Sequence, residues 1–100
     1  MTNAAPSIVL DETARRFELA VEGHVAHVEF ERLPGGIACL HTIVPRPLEG
    51  RGIGGRLVKH VLDYAAAHQL KVRPDCSFVK TYIERHPEYQ GLAVARDGDK

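Results

Sequence analysis

The sequence predicts an α+β fold, a mainly antiparallel meander sheet followed by a strand–helix–strand–helix unit. Two observations carry the prediction. Three strand-like runs separated by glycine-containing turns lie between Arg16 and Val44, spaced as in a meander. From Ile53 onward, apolar residues recur at the three- and four-residue intervals of an amphipathic helix.

Residues 1–12 read as a loose lead-in, broken by Pro6. Arg16 to Glu22 alternates, with Phe17, Leu19 and Val21 on one face and Glu18 and Glu22 on the other. Gly23-His24 is expected to turn the chain. A second strand then sets Ala26, Val28 and Phe30 against His27, Glu29 and Glu31. Pro34-Gly35-Gly36 turns again into Ile37–Val44, an extended apolar run closed by Pro45 and Pro47. A long helix is expected from about Gly52 to His68, carried by Ile53, Leu57, Val58, Val61, Leu62 and Ala65. A short strand at Lys71–Arg73 and a second helix from about Ser77 to Arg85, stopped before Pro87, complete the pattern.

Composition narrows the classes. At 100 residues and 44% hydrophobic, the chain reads as one domain over 1–100, with an ordered core at about 14–92. No apolar run reaches the roughly 20 residues of a membrane span, and the N-terminus lacks the pattern of a signal peptide. Two cysteines without framework spacing fit a reducing compartment, so a cytoplasmic location is expected. Balanced charge, 13 basic against 13 acidic residues, argues against a general nucleic-acid binder and gives no sign of a membrane partner. The basic residues are nonetheless gathered: residues 46–85 hold eight, with four acidic. That surplus suits a polyphosphate ligand, or is ordinary surface scatter.

The centre of that region is Glu49-Gly50-Arg51-Gly52-Ile53-Gly54-Gly55, with a strand before it and a helix after it. Glycines at such a junction leave backbone N–H groups uncovered at the positive end of a helix, which is an anion seat. The loop lacks the Lys-Ser/Thr of a Walker loop, and 100 residues leave no room for a dinucleotide-binding sheet. Val44-Pro45-Arg46-Pro47-Leu48-Glu49-Gly50-Arg51-Gly52-Ile53-Gly54-Gly55-Arg56-Leu57 instead resembles the acetyl-CoA signature of the GNAT acetyltransferase superfamily, Gln/Arg-x-x-Gly-x-Gly/Ala between a strand and a helix. Glu49 stands where Gln or Arg is usual. His41-Thr42-x-Val44-Pro45, Pro74-x-Cys76-Ser77-Phe78-Val79, Tyr82-Ile83 and His86-Pro87-Glu88-Tyr89 resemble the short single-domain branch of that superfamily, and the likeness covers roughly Arg16 to Leu92.

The resemblance implies a compact GNAT-like fold and acetyl-CoA as co-substrate, with transfer of acetyl to an amine acceptor that the sequence does not identify. Ile43 and Val44 at the strand end, and Arg51, Gly52, Ile53, Gly54, Gly55 and Arg56 along the loop and helix start, are the implied cofactor contacts. It also implies that Leu40–Val44 and Lys71–Arg73 splay apart around the pantetheine arm. Cys76 precedes the second helix, where the helix dipole favours a thiolate, and is a candidate acyl acceptor, thioester-pocket wall or packing residue. Tyr82 is the candidate proton donor to the departing CoA thiolate, or part of a packing stripe with Phe78, Val79 and Ile83. His41 is a possible general base or a hydrogen-bonded sheet histidine. Six histidines invite a metal reading, but His24 and His27 differ by an odd number and face opposite ways on a strand, so no metal is expected. Two other classes stay open, an acyl-CoA-binding or sensing module without turnover and an interaction domain using the basic patch.

Overall fold

The computed structural model describes residues 7–94. Strands β1 (Val9–Asp11), β2 (Arg16–Val21), β3 (His24–Leu33), β4 (Gly36–Ile43) and β5 (Lys71–Pro74) form one sheet in the order β1-β2-β3-β4-β5. Alternation decides its register. Phe17 pairs with Val28 and Leu19 with Ala26, all fully buried, whereas Glu18 faces His27 on the other side of the sheet. A slip by one residue would turn each apolar side chain out of the core, so the pairing has no close competitor.

Some expectations change. The lead-in contains a strand: β1 pairs with β2 through Leu10↔Phe17, and Asp11 Oδ1 accepts the Ala14 N–H at 3.0 Å to close the connecting turn. Pro6 lies outside the described residues. The first hairpin turns one residue earlier than expected, at Glu22 and Gly23, with φ of 52° and 82°, and His24 is already in β3. The chain also continues past the second helix into a 3₁₀ turn, Pro87–Leu92, after which Ala93 bridges Val72 in parallel.

Strand β4 pairs antiparallel with β3 and parallel with β5, joined to β5 by helix α1 (Ile53–Ala67). Two irregularities in β4 position the site. Glu29 faces His41 but Phe30 faces Cys39, so one extra β4 residue, Leu40, sits in a bulge. The parallel pairs run only from Gly36↔Lys71 to Cys39↔Pro74. Lys71–Arg73 therefore lies against Gly36–Ala38, not across a gap from Leu40–Val44. The strands part after Cys39 because proline has no N–H to continue the ladder.

Helix α1 buries Ile53, Leu57, Val58, Val61, Leu62 and Ala65. Each fully buried leucine or valine among them contributes about 1.5–3 kcal/mol relative to exposure. Helix α2 (Ser77–Arg85) adds Val79 and Ile83 to the same core. Tyr89 then donates a 2.6 Å hydrogen bond to Asp63 on α1, fastening the last turn to the helix. Among the described residues no helix is long and apolar enough to cross a membrane.

Candidate functional site

After β4 the chain makes a 3₁₀ turn at Arg46–Leu48, where buried Leu48 fixes its path, and enters α1 through Gly52. Gly52 occupies the N-cap position with φ 74°, a left-handed conformation that glycine adopts without strain. Helices usually begin on Ser, Thr, Asp or Asn, whose side chain satisfies a first-turn N–H. Here no side chain caps the helix and no acidic residue stands in its first turn, among the described residues. The amides at its start thus remain available to an anion.

A groove of about 390 Å³ opens over this start, lined by Thr42, Val44, Glu49, Gly52, Gly54 and Phe78 among others. A Cβ on Gly54 would stand 2.9 Å from Phe78 Cζ, so the glycine makes room for the Phe78 ring. Phe78 is itself 45% exposed.

The expected contact residues separate into groups. Val44, Gly52, Ile53, Gly54 and Gly55 all line the groove. Ile43 does not: alternation along β4 turns it to the opposite face from Thr42, where it is 46% exposed. Arg51 and Arg56 line a neighbouring hollow of about 350 Å³ with Glu22. Arg51 is held there by two hydrogen bonds to the Glu22 carboxylate, at 3.0 and 3.1 Å. The loop's first arginine is therefore engaged by an acid.

Cys76 is the N-cap of α2, and its Sγ lies 3.5 Å from Thr42 Oγ1 across the opening between β4 and α2. Partial burial pushes the thiol up, but hydrogen bonds from the Thr42 hydroxyl and from the backbone of Val79, Phe78 and Thr42 outweigh it, leaving the thiol below its ordinary value. The other cysteine, Cys39, is fully buried, and burial pushes it up to about 12. The two thiols are thus chemically distinct.

Tyr82 lies further along α2. Its ring stands 3.8 Å from where a Gly55 Cβ would be and stacks on His86 with centroids 3.8 Å apart. Burial raises its pKa, so the phenol keeps its proton at neutral pH. It is not brought together with Cys76, which lies six positions earlier at the N-cap of α2, about 9 Å of rise away. His41 is exposed and pairs across from Glu29, on the face away from Thr42. His27 binds Glu29 at 3.1 Å, and no group of three or more metal-binding side chains occurs among the described residues.

A mixed sheet that parts beside a glycine-opened helix, with a thiol facing the gap, defines an α+β domain with an open groove. The chain belongs to the GCN5-related N-acetyltransferase family, whose model matches residues 16–92. Protein NATD1 of Gallus gallus and that of Homo sapiens are each 36% identical over 52 residues, covering 52% of this chain and 47% and 46% of theirs. The chain spans about half the length of the curated relatives it matches. The solution structure of a GCN5-like proposed N-acetyltransferase from Staphylococcus aureus superposes with a TM-score of 0.72 at 25% identity, covering 96% of this chain and 95% of that one.

Proposed function

We propose that this domain binds acetyl-CoA and transfers the acetyl group to an amine. The supporting observation is the continuity of one groove from the uncapped start of α1 to Thr42, beside the point where β4 and β5 part. The pyrophosphate takes the free amides at Gly52–Gly55. The pantetheine arm lies along β4 beyond Cys39, where the ladder to β5 has ended. The thioester then reaches Thr42 and Cys76.

There the amine nitrogen attacks the carbonyl carbon, a C–N bond forms and the C–S bond breaks. The proton released by the nitrogen ends on the CoA sulfur. Cys76 and Thr42 supply hydrogen bonds beside the departing sulfur, and transfer is direct. Tyr82 stands at the phosphate end, beside Gly55, and we assign it to ligand binding.

A second reading, acyl-CoA binding without turnover, draws on Glu49, an acid lining the groove. Calorimetry followed by mass spectrometry separates the two. Gly54→Glu should abolish acetyl-CoA binding, because its side chain collides with Phe78 and repels phosphate. Gly55→Ala should bind within about twofold of the parent, since its Cβ meets only Tyr82 at 3.8 Å, an ordinary contact. Unchanged binding by Gly54→Glu overturns the assignment. Binding without acetyl transfer to a panel of polyamines and lysine peptides selects the second reading.

A further inference from the structure

We propose that the face of the sheet left bare by both helices docks a second copy of this chain, related by a two-fold axis along the strands. The inference is independent of the acetyl-CoA reading, because none of its residues lines the groove.

Both helices pack on one side. Val58 and Val61 of α1 and Val79 and Ile83 of α2 share one core with Phe17, Leu19, Ala26 and Val28. Alternation turns the neighbours of those strand residues to the opposite face. Val9, Val25 and Ile43 stand there at 57%, 46% and 46% exposure, three of the five large apolar side chains exposed among the described residues. Exposed apolar groups rimmed by charge mark an interaction surface.

The register identifies the occupant. Paired residues on this face form rows across the strands. One row runs Asp11, Arg16, Glu29, His41. The next runs Val9, Glu18, His27, Ile43, and a third pairs Ala20 with Val25. Each row is the complement of its own reverse. A two-fold axis parallel to the strands, between β2 and β3, reverses every row and turns the face over. It sets Arg16 against Glu29 of the second copy, Asp11 against His41, Glu18 against His27, Val9 against Ile43 and Ala20 against Val25. Symmetry makes each contact twice. An axis across the strands would instead set Val9 against Asp11 and Ile43 against His41, burying charge on apolar side chains.

Covering the face strands none of the four central charged or polar groups. Arg16 Nη2 lies 2.8 Å from Glu18 and His27 Nε2 lies 3.1 Å from Glu29, so each brings a partner from its own chain. Aligned sheets cross at about 30°, so the central pairs, Arg16 with Glu29 and Glu18 with His27, meet most closely. Four strands about 4.8 Å apart, with the six residues of β2 rising about 3.4 Å each, make a face of roughly 400 Å². Two such faces fall below the roughly 1,200 Å² of a standard interface, so the dimer is weak, with a Kd on the order of 100 μM.

Sedimentation equilibrium of the ligand-free protein, at concentrations bracketing that value, tests the arrangement. The parent should show a monomer–dimer equilibrium. Arg16→Glu alone sets acid against Glu29 twice per dimer, and Glu29→Arg alone sets base against Arg16. Each should weaken dimerisation about tenfold or more. An equimolar mixture of the two variants should dimerise like the parent, because every contact between unlike copies is again acid on base. Rescue by mixing also reports that both variants are folded. Glu18→Lys mixed with His27→Glu repeats the test on the second row and serves if the first pair does not fold. A parent that stays monomeric throughout overturns the proposal. So does a dimer that these substitutions leave unchanged, or one that they weaken and mixing restores in neither pair.

Discussion

Thr42 Oγ1 and Cys76 Sγ meet at 3.5 Å, joining two residues 34 positions apart across the opening between β4 and α2. The contact gives the thiol a hydroxyl partner in addition to the amides of the α2 start. As a thiol Cys76 donates to the threonine oxygen; as a thiolate it accepts from the threonine hydroxyl.

That exchange is measurable. Because the Cys76 pKa lies below its ordinary value, its alkylation by iodoacetamide should reach half its maximal rate at a lower pH than a surface thiol. Thr42→Val removes one stabilising donor, so the midpoint should move up and the rate at pH 7 should fall. Cys39, pushed up to about 12 by burial, should stay unmodified in the native protein. Peptide mass spectrometry after timed labelling checks both cysteines. Superimposable pH profiles for parent and Thr42→Val would show that the hydroxyl does not act on the sulfur.

The Glu22–Arg51 pair predicts a gain. Glu22 holds the loop arginine beside the proposed phosphate seat and adds a negative charge there. Glu22→Gln should release Arg51 toward the ligand and raise CoA affinity by up to about fivefold at low salt, with a smaller gain at high salt. Calorimetry at two ionic strengths reads this. Equal or weaker binding would mean that Arg51 does not reach the phosphates.

Tyr89 and Asp63 carry the stability prediction. Tyr89→Phe removes a 2.6 Å bond to a partly exposed carboxylate, which should cost about 1 kcal/mol and lower Tm by about 4–8 °C. The Tyr89 hydroxyl, then Lys59, lowers the Asp63 pKa. A lowered acid stabilises the fold above its unfolded value, about pH 3.9, and the contribution fades as pH falls through the folded value. The gap between parent and Tyr89→Phe should therefore be full at pH 7 and shrink below about pH 4. Calorimetric scans at pH 7 and pH 3 test it, and a gap that widens in acid would contradict the assignment.

Strands β2 and β3 and helix α1 are legible because one period runs through each, with Phe17, Leu19, Ala26 and Val28 in one and Ile53, Leu57, Val61 and Ala65 in the other. Strand β1 escapes a periodic reading: three residues hold one alternation, and only pairing with Phe17 defines them. Thr42 escapes for a sharper reason. It lies an odd number of residues from buried Cys39, so strict alternation assigns it to the other face. The bulge at Leu40 restores it to the Cys76 side, and the sequence carries no separate sign of that extra residue. Arg51 reads as a ligand contact, but it bonds Glu22, 29 residues away in the β2–β3 hairpin, a partner that no local pattern reveals. Phe78 reads as packing from its helical spacing, and only the closeness of Gly54 shows the ring as a wall of the groove.

The bridge between Val72 and Ala93, with the Val94 N–H bonded to the Val72 carbonyl at 2.9 Å, gives β5 a neighbour on its outer side. Among the described residues, β4 pairs with no strand on that side from Leu40 to Ile43. An unsatisfied strand edge invites any extended chain to add to it. On the function proposed above, a cofactor arm lying there would take the place of a missing strand. Ligand occupancy would then act as chaperone to this edge, and the loaded protein should self-associate less than the empty one at equal concentration.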